Sequence, residues 1–167
     1  MANPKRPVLN IPATPTEKVL GILAAVGVML TWIIVASAWP NLPQLVPTHF
    51  GLNGKADATG PAWTVWILPV VQLLLATLLT VVKRYPQSFN YLWAITPKNA
   101  GRQYLLARML IGWLCLEMVS LFAYLSWQTI QTALGSSVGL GLWFLPITLL
   151  VLTLTIGFYL WLAYQMR

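Results

Sequence analysis

Val19–Trp39 reads VLGILAAVGVMLTWIIVASAW, and no charged residue occurs between Lys18 and Lys55. A helix needs about 20 apolar residues to cross a bilayer core. This stretch supplies them, so it predicts a first membrane span over residues 19–39. Its start is marked by Thr14 and Glu17 in capping-box spacing, with Pro15 at the first helical position. Pro40 and Pro43 end it.

Three more spans follow, at about residues 62–82, 105–127 and 142–164. Gly60-Pro61 opens the second and Lys83-Arg84 closes it, while Pro69 in its first half predicts a kink. The helix of the third is expected to start earlier than its span, with Thr96 as N-cap and Pro97 at the first position. Pro146 lies in the first turns of the fourth. The fold expected is an all-α polytopic membrane protein with four transmembrane helices. A short tail (1–15) precedes a single four-helix membrane domain (16–167). The basic start could suggest a signal peptide, but the apolar stretch is too long and more spans follow, so the first span is expected to be retained.

Composition agrees. Of 167 residues, 58% are hydrophobic and 8% are charged, where a soluble domain is about a quarter charged. The net charge is +7, yet no phosphate-cradling loop or base-reading helix is visible, so nucleic acid is not an expected partner. Cys115 is the single cysteine. It can form neither an internal disulfide nor a zinc site, and it reads as a small buried hydrophobe.

Lysine and arginine counts set the expected orientation. Lys5, Arg6 and Lys18 precede the first span, and Lys83, Arg84, Lys98 and Arg102 lie between the second and third. Arg167 follows the fourth. The first loop carries only Lys55 and the third carries none. Both termini and the middle loop are therefore expected in the cytoplasm. Trp39, Trp63, Trp66, Trp127 and Trp143 fall at the outer ends of spans, and Trp93 and Trp161 near the inner ends, as interfacial belts require. Trp32 and Trp113 lie deeper.

The polar chemistry of the outer side is concentrated in Pro47–Gly60, which holds the only histidine and one of three acidic residues. Pro40, Pro43 and Pro47 keep the loop out of a helix. Val46–Phe50 reads as extended, and Asn53-Gly54 is a tight-turn signal. The loop is expected to be ordered and folded back, with His49 and Asp57 able to meet across the turn. His49 can bind a metal, sense pH or hydrogen-bond a ligand; equally, the two residues can pin the loop to the helices. One His and one Asp are too few for a protein-only metal centre, so no metal and no cofactor are expected.

Within the membrane, Glu117 stands near the middle of the third span, where a carboxyl group is costly unless partnered. Trp113, Ser120, Tyr124, Gln128 and Gln131 share its helical face, and Gln72 is the expected partner at similar depth. A proton or ligand site and a carboxyl group hydrogen-bonded between helices are both open. Arg108 is expected to snorkel to the cytoplasmic surface rather than pair with Glu117. Lys83, Arg84, Lys98 and Arg102 suffice as topology signals, and could also dock a partner or anionic lipid. Thr148, Thr155 and Tyr159 fit helix packing.

The pattern Pro47-x-His49-Phe50-x-x-x-Gly54-x-x-Asp57-x-x-Gly60 between two spans resembles the domain of unknown function at the N-terminus of SdpI-type bacterial membrane proteins. The likeness covers roughly Ala24–Leu74. A less diagnostic likeness to short members runs from Tyr85-Pro86 through Phe89-Asn90-Tyr91 and Ile95-Thr96-Pro97 to Asn99 and Tyr104. The resemblance implies a multi-pass protein of the bacterial cytoplasmic (inner) membrane. In the namesake group it implies immunity against a secreted peptide toxin, with a repressor held at the membrane. Four spans are expected in this sequence, where the longer SdpI-type proteins have further ones. The motif residues carried over are Pro47, His49, Phe50, Gly54, Asp57 and Gly60.

Three functions are weighed. The first is a non-enzymatic binder or sensor of an extracytoplasmic ligand, such as a peptide. The second is an accessory subunit of a larger membrane complex. The third is a proton-coupled transporter using Glu117. No Ser/His/Asp set, paired metal ligands or nucleotide loop supports an enzyme. Membrane lipid is an expected partner, and a homo-oligomer is compatible with the sequence.

Overall fold

The computed structural model describes residues 6–167; Lys5 and the beginning of the expected tail lie outside them. Among the described residues four helical segments are long and apolar enough to cross a membrane, built on α1 (Pro15–Ala38), α2 (Ile67–Val82, with the turn from Ala62 ahead of it), α3 (Ala100–Ala133) and α4 (Phe144–Gln165). The first loop is not only ordered but paired. It forms an antiparallel hairpin of β1 (Leu45–Phe50) and β2 (Ala56–Pro61).

The helix ends follow local chemistry. Thr14 Oγ1 accepts the Glu17 amide at 3.2 Å, and Glu17 Oε2 accepts the Thr14 amide at 2.9 Å, so the capping box forms. A 3-10 turn (Ala62–Trp66) precedes α2. Pro69 therefore falls in the first turn, where its missing N–H has no helical acceptor to lose. The kink expected there has no cause. Thr96 is not the N-cap of α3; Asn99 is. Asn99 Oδ1 accepts the Thr96 amide at 2.8 Å, which builds a separate turn ahead of the helix.

Arg108 does not snorkel. Its Nε donates to Glu17 Oε1 at 2.8 Å, its Nη2 to Glu17 Oε2 at 3.0 Å, and its Nη1 to the Ile11 carbonyl at 2.7 Å. Both side chains are buried, with 13% and 3% of their surface exposed. A carboxylate already held by the capping box is a closer partner than water, so the forked pair forms.

The tail is tied down along the same end. Arg6 Nη1 donates to the carbonyls of Gln87 and Phe89 at 3.2 and 2.5 Å. The Tyr104 hydroxyl donates to the Pro7 carbonyl at 3.1 Å. Tyr91, whose phenol burial pushes well above its ordinary range, donates to the Pro86 carbonyl at 2.8 Å.

The core is a three-helix cluster. Small residues let α1 and α3 approach closely: a Cβ on Gly27 would sit 2.6 Å from Val119 Cγ1. Ala24, Cys115 and Val119 are buried together there. Gln72 clasps all three helices. Its Nε2 donates to Thr31 Oγ1 on α1 at 3.0 Å and to the Val119 carbonyl on α3 at 2.9 Å. Replacing it with Leu should cost about 1 kcal/mol, the scale of interhelical hydrogen bonds in membranes, read as a lower unfolding midpoint in detergent.

The four spans do not close into a symmetric bundle. The main packing partner of α4 is α3, and Leu149, Leu154, Phe158 and Trp161 are exposed along it. A helix apolar on every side has no face that must turn inward. With 34 residues, α3 is about 50 Å long at about 1.5 Å per residue, more than the roughly 30 Å hydrocarbon thickness. It therefore reaches beyond the bilayer, and it meets the hairpin at one end and the tail at the other.

Candidate functional site

The hairpin is fixed at its base by apolar packing. Val46 is fully buried with Val35 of α1, Val65 of the 3-10 turn and Ile130 of α3. Trp66 lies between Trp32 and Trp39, with ring centroids 5.7 and 5.9 Å away. The Ala62 amide donates to the Gln44 carbonyl at 2.9 Å and closes the base.

Two register irregularities then re-aim the side chains. Pro47 pairs with Thr59, His49 with Ala58, and Phe50 with Ala56. Thr48 is thus an extra residue on β1 and Asp57 an extra residue on β2. Bulges bend a strand and redirect a side chain, and here they bring His49 and Asp57 together. His49 Nδ1 lies 2.5 Å from Asp57 Oδ1, with 67% and 53% of the two side chains exposed. An ionised carboxylate accepts only, so Nδ1 carries the hydrogen between them and Nε2 faces outward.

The tip is a tight turn containing Asn53-Gly54, as expected. The Gly54 amide donates to the Gly51 carbonyl at 2.8 Å, and the Gly51 amide to the Lys55 carbonyl at 2.9 Å. Leu52 and Asn53 are the central residues and keep negative φ, while Gly54 takes φ +74°. This is the three-residue loop with a left-handed glycine, not a primed turn at Asn53-Gly54.

The tip is also docked. The Leu140 amide donates to the Gly54 carbonyl at 2.7 Å, and Lys55 forms a bridge with Gly139. A Cβ on Gly54 would come 2.8 Å from the Gly141 carbonyl oxygen, and one on Gly139 would come 2.0 Å from the Gly54 oxygen. Backbone meets backbone with no room for side chains. From below, the Tyr124 hydroxyl donates to the Leu140 carbonyl at 2.8 Å, and Gln128 Nε2 donates to the Tyr124 hydroxyl at 2.9 Å. A chain of contacts thus runs from the hairpin tip through the α3–α4 loop to α3.

The motif residues divide by role. Pro47 and Gly54 are buried, Phe50 and Gly60 are half-buried, and only His49 and Asp57 are presented to solution. Gly60 leaves space for Thr48, whose Cγ2 would be 2.8 Å from an added Cβ. The sequence reading missed Gly139, Leu140 and Gly141. The alternation of glycines in an uncharged loop was the available signal.

The intramembrane polar residues do not form one hydrogen-bonded network. Glu117 does not meet Gln72, which is spent on Thr31 and Val119. Thr155 Oγ1 of α4 donates instead to Glu117 Oε1, and Glu117 Oε2 is buried with no partner. Equal depth did not mean equal facing, since α2 and α4 lie on different sides of α3. Ser120 Oγ donates to its own helix at Leu116, 2.9 Å away, so nothing polar joins Glu117 to Tyr124.

Four membrane-spanning helices and a docked hairpin in the first loop define a multi-pass membrane protein with one structured polar site. Residues 26–73, from α1 through the hairpin into α2, match the family described as Domain of unknown function (DUF1648). An uncharacterized protein of Archaeoglobus fulgidus is 37% identical over 87 residues, covering 47% of this chain and 48% of the relative. The chain thus spans about half the length of that curated relative. No solved structure matches.

Proposed function

We propose that this is a non-enzymatic membrane protein that binds an extracytoplasmic ligand through the 47–60 hairpin. One observation carries the reading: an exposed His49–Asp57 pair on a hairpin held at both base and tip. An exposed ion pair contributes little to stability, so its use lies in what it presents. Asp57 offers carboxylate lone pairs and His49 an outward ring nitrogen, a combination suited to backbone amides or a cationic group of a peptide. The resemblance to SdpI-type proteins supports a peptide ligand, and in that case an immunity-like role. The charge count supports placing the hairpin outside and the termini in the cytoplasm.

His49→Ala and Asp57→Ala should each change stability by less than about 1 kcal/mol while abolishing ligand capture. Leu52, in the turn at the hairpin tip and 91% exposed, can carry a photoreactive side chain in intact cells. A hairpin-specific crosslink that disappears in both variants supports the reading. A crosslink undiminished in both removes its basis.

A second reading, an accessory subunit, is favoured by the apolar outer surface of α4. It requires co-purification with a larger complex after mild detergent extraction. Migration as a lone chain would count against it.

A further inference from the structure

We propose that the α3–α4 seam at the tail end is a binding site for an anionic phospholipid. A cleft of about 580 Å³ opens there, lined among others by Trp93, Lys98, Asn99, Arg102 and Arg167. Lys98, Arg102 and Arg167 are three cations, and no acidic residue lines the cleft. The chain has only three acidic residues. Glu17 is paired with Arg108, Asp57 with His49, and Glu117 is bonded to Thr155. No acidic side chain is therefore left to neutralise the three basic side chains of the cleft.

The cleft is built rather than incidental. Gln103 Nε2 donates to the carbonyls of Ala163 and Met166 at 2.8 and 3.1 Å. Those are last-turn carbonyls that a helix leaves unsatisfied, so Gln103 fastens the end of α4 to the start of α3. The Arg167 guanidinium lies 4.2 Å over the Tyr164 ring, and Trp93 meets Tyr164 edge-on at 6.0 Å. Asn99 spends its side chain on Thr96 and Ala94, and no side chain caps the first amides of α3. The positive end of the helix dipole adds to the three cations.

The neighbouring cavity selects a lipid over a free anion. An apolar groove of about 370 Å³ follows along the same seam, lined by residues including Leu106, Leu110, Phe158 and Leu162. Leu106 stands one helical turn beyond Arg102, and Leu162 one turn before Met166, so each helix passes from cleft to groove on a single face. A basic head site leading into an apolar channel matches a phosphate headgroup and its acyl chain. Basic pockets between membrane helices take such headgroups.

The test uses the full chain in mild detergent. Its unfolding midpoint and lipid occupancy by native mass spectrometry are measured with phosphatidylglycerol, phosphatidylcholine or inorganic phosphate. Phosphatidylglycerol should bind the wild type about tenfold more tightly than phosphatidylcholine, a difference of about 1.4 kcal/mol, and raise the midpoint. The triple variant Lys98→Gln, Arg102→Gln, Arg167→Gln should lose that preference. Lys83→Gln with Arg84→Gln, outside the cleft, should keep it. Equal binding of the two lipids by the wild type overturns the proposal without any variant. So does an equal loss in the control pair, which would mean diffuse charge, or an equal midpoint shift from phosphate alone, which would mean a free anion.

Discussion

Arg108→Ala should destabilise the protein by about 3–5 kcal/mol, the cost of leaving one member of a buried ion pair alone. Glu17 would keep its capping role but lose the cation beside it, in a site where only 3% of its side chain meets solvent. The damage would extend along the tail, because Arg108 also holds the Ile11 carbonyl. Thermal unfolding in detergent should show a large drop in midpoint, and limited proteolysis should cut between residues 6 and 14 in the variant before it cuts the wild type. The double change Arg108→Met with Glu17→Gln should recover most of the loss, since a pair removed together leaves no orphan charge. An unchanged midpoint in Arg108→Ala would mean that the pair contributes nothing.

Gly139→Ala should be the most damaging single methyl in the molecule. Gly139 has φ +139°, and a Cβ there would lie 2.0 Å from the Gly54 oxygen. The obstacle is backbone, so no rotamer change can relieve it. Strain at such a φ costs on the order of 1–3 kcal/mol and overpacking adds a similar amount. The loop should yield first, breaking the Leu140 to Gly54 bond and releasing the hairpin tip. Hydrogen exchange of the Leu140 amide should rise steeply, and protease cleavage should appear at residues 51–55. Gly157→Ala, where nothing lies within 4 Å of the added atom, is the control and should change neither.

The sequence and the structure agree where the physics is local. Span lengths follow from runs of apolar residues, and the Thr14–Glu17 box from spacing along one turn. The approach of His49 to Asp57 was legible because a folded-back loop brings its two arms together. What was not legible depends on residues far apart. A count of charges treats Arg108 alone, yet its partner is 91 positions away. Gln72 was matched to Glu117 by depth, whereas the direction each faces around its helix decided otherwise. The two bulges shift the register by compensating single residues, which alternation does not reveal. The glycines of the α3–α4 loop acquire their meaning only when the hairpin tip arrives against them.

The docked tip also fixes an order of assembly. The hairpin leaves the ribosome after α1, but the donor to its tip, the amide of Leu140, belongs to a loop made only after α3. Until that loop crosses to the hairpin's side of the membrane, the Gly54 carbonyl has no protein partner and the tip can only wait. The hairpin's face of the protein is therefore completed last, by a late-synthesised clasp that closes over an early one. A nascent chain halted between α2 and α3 would carry the His49–Asp57 pair without the clamp that holds the hairpin tip in place.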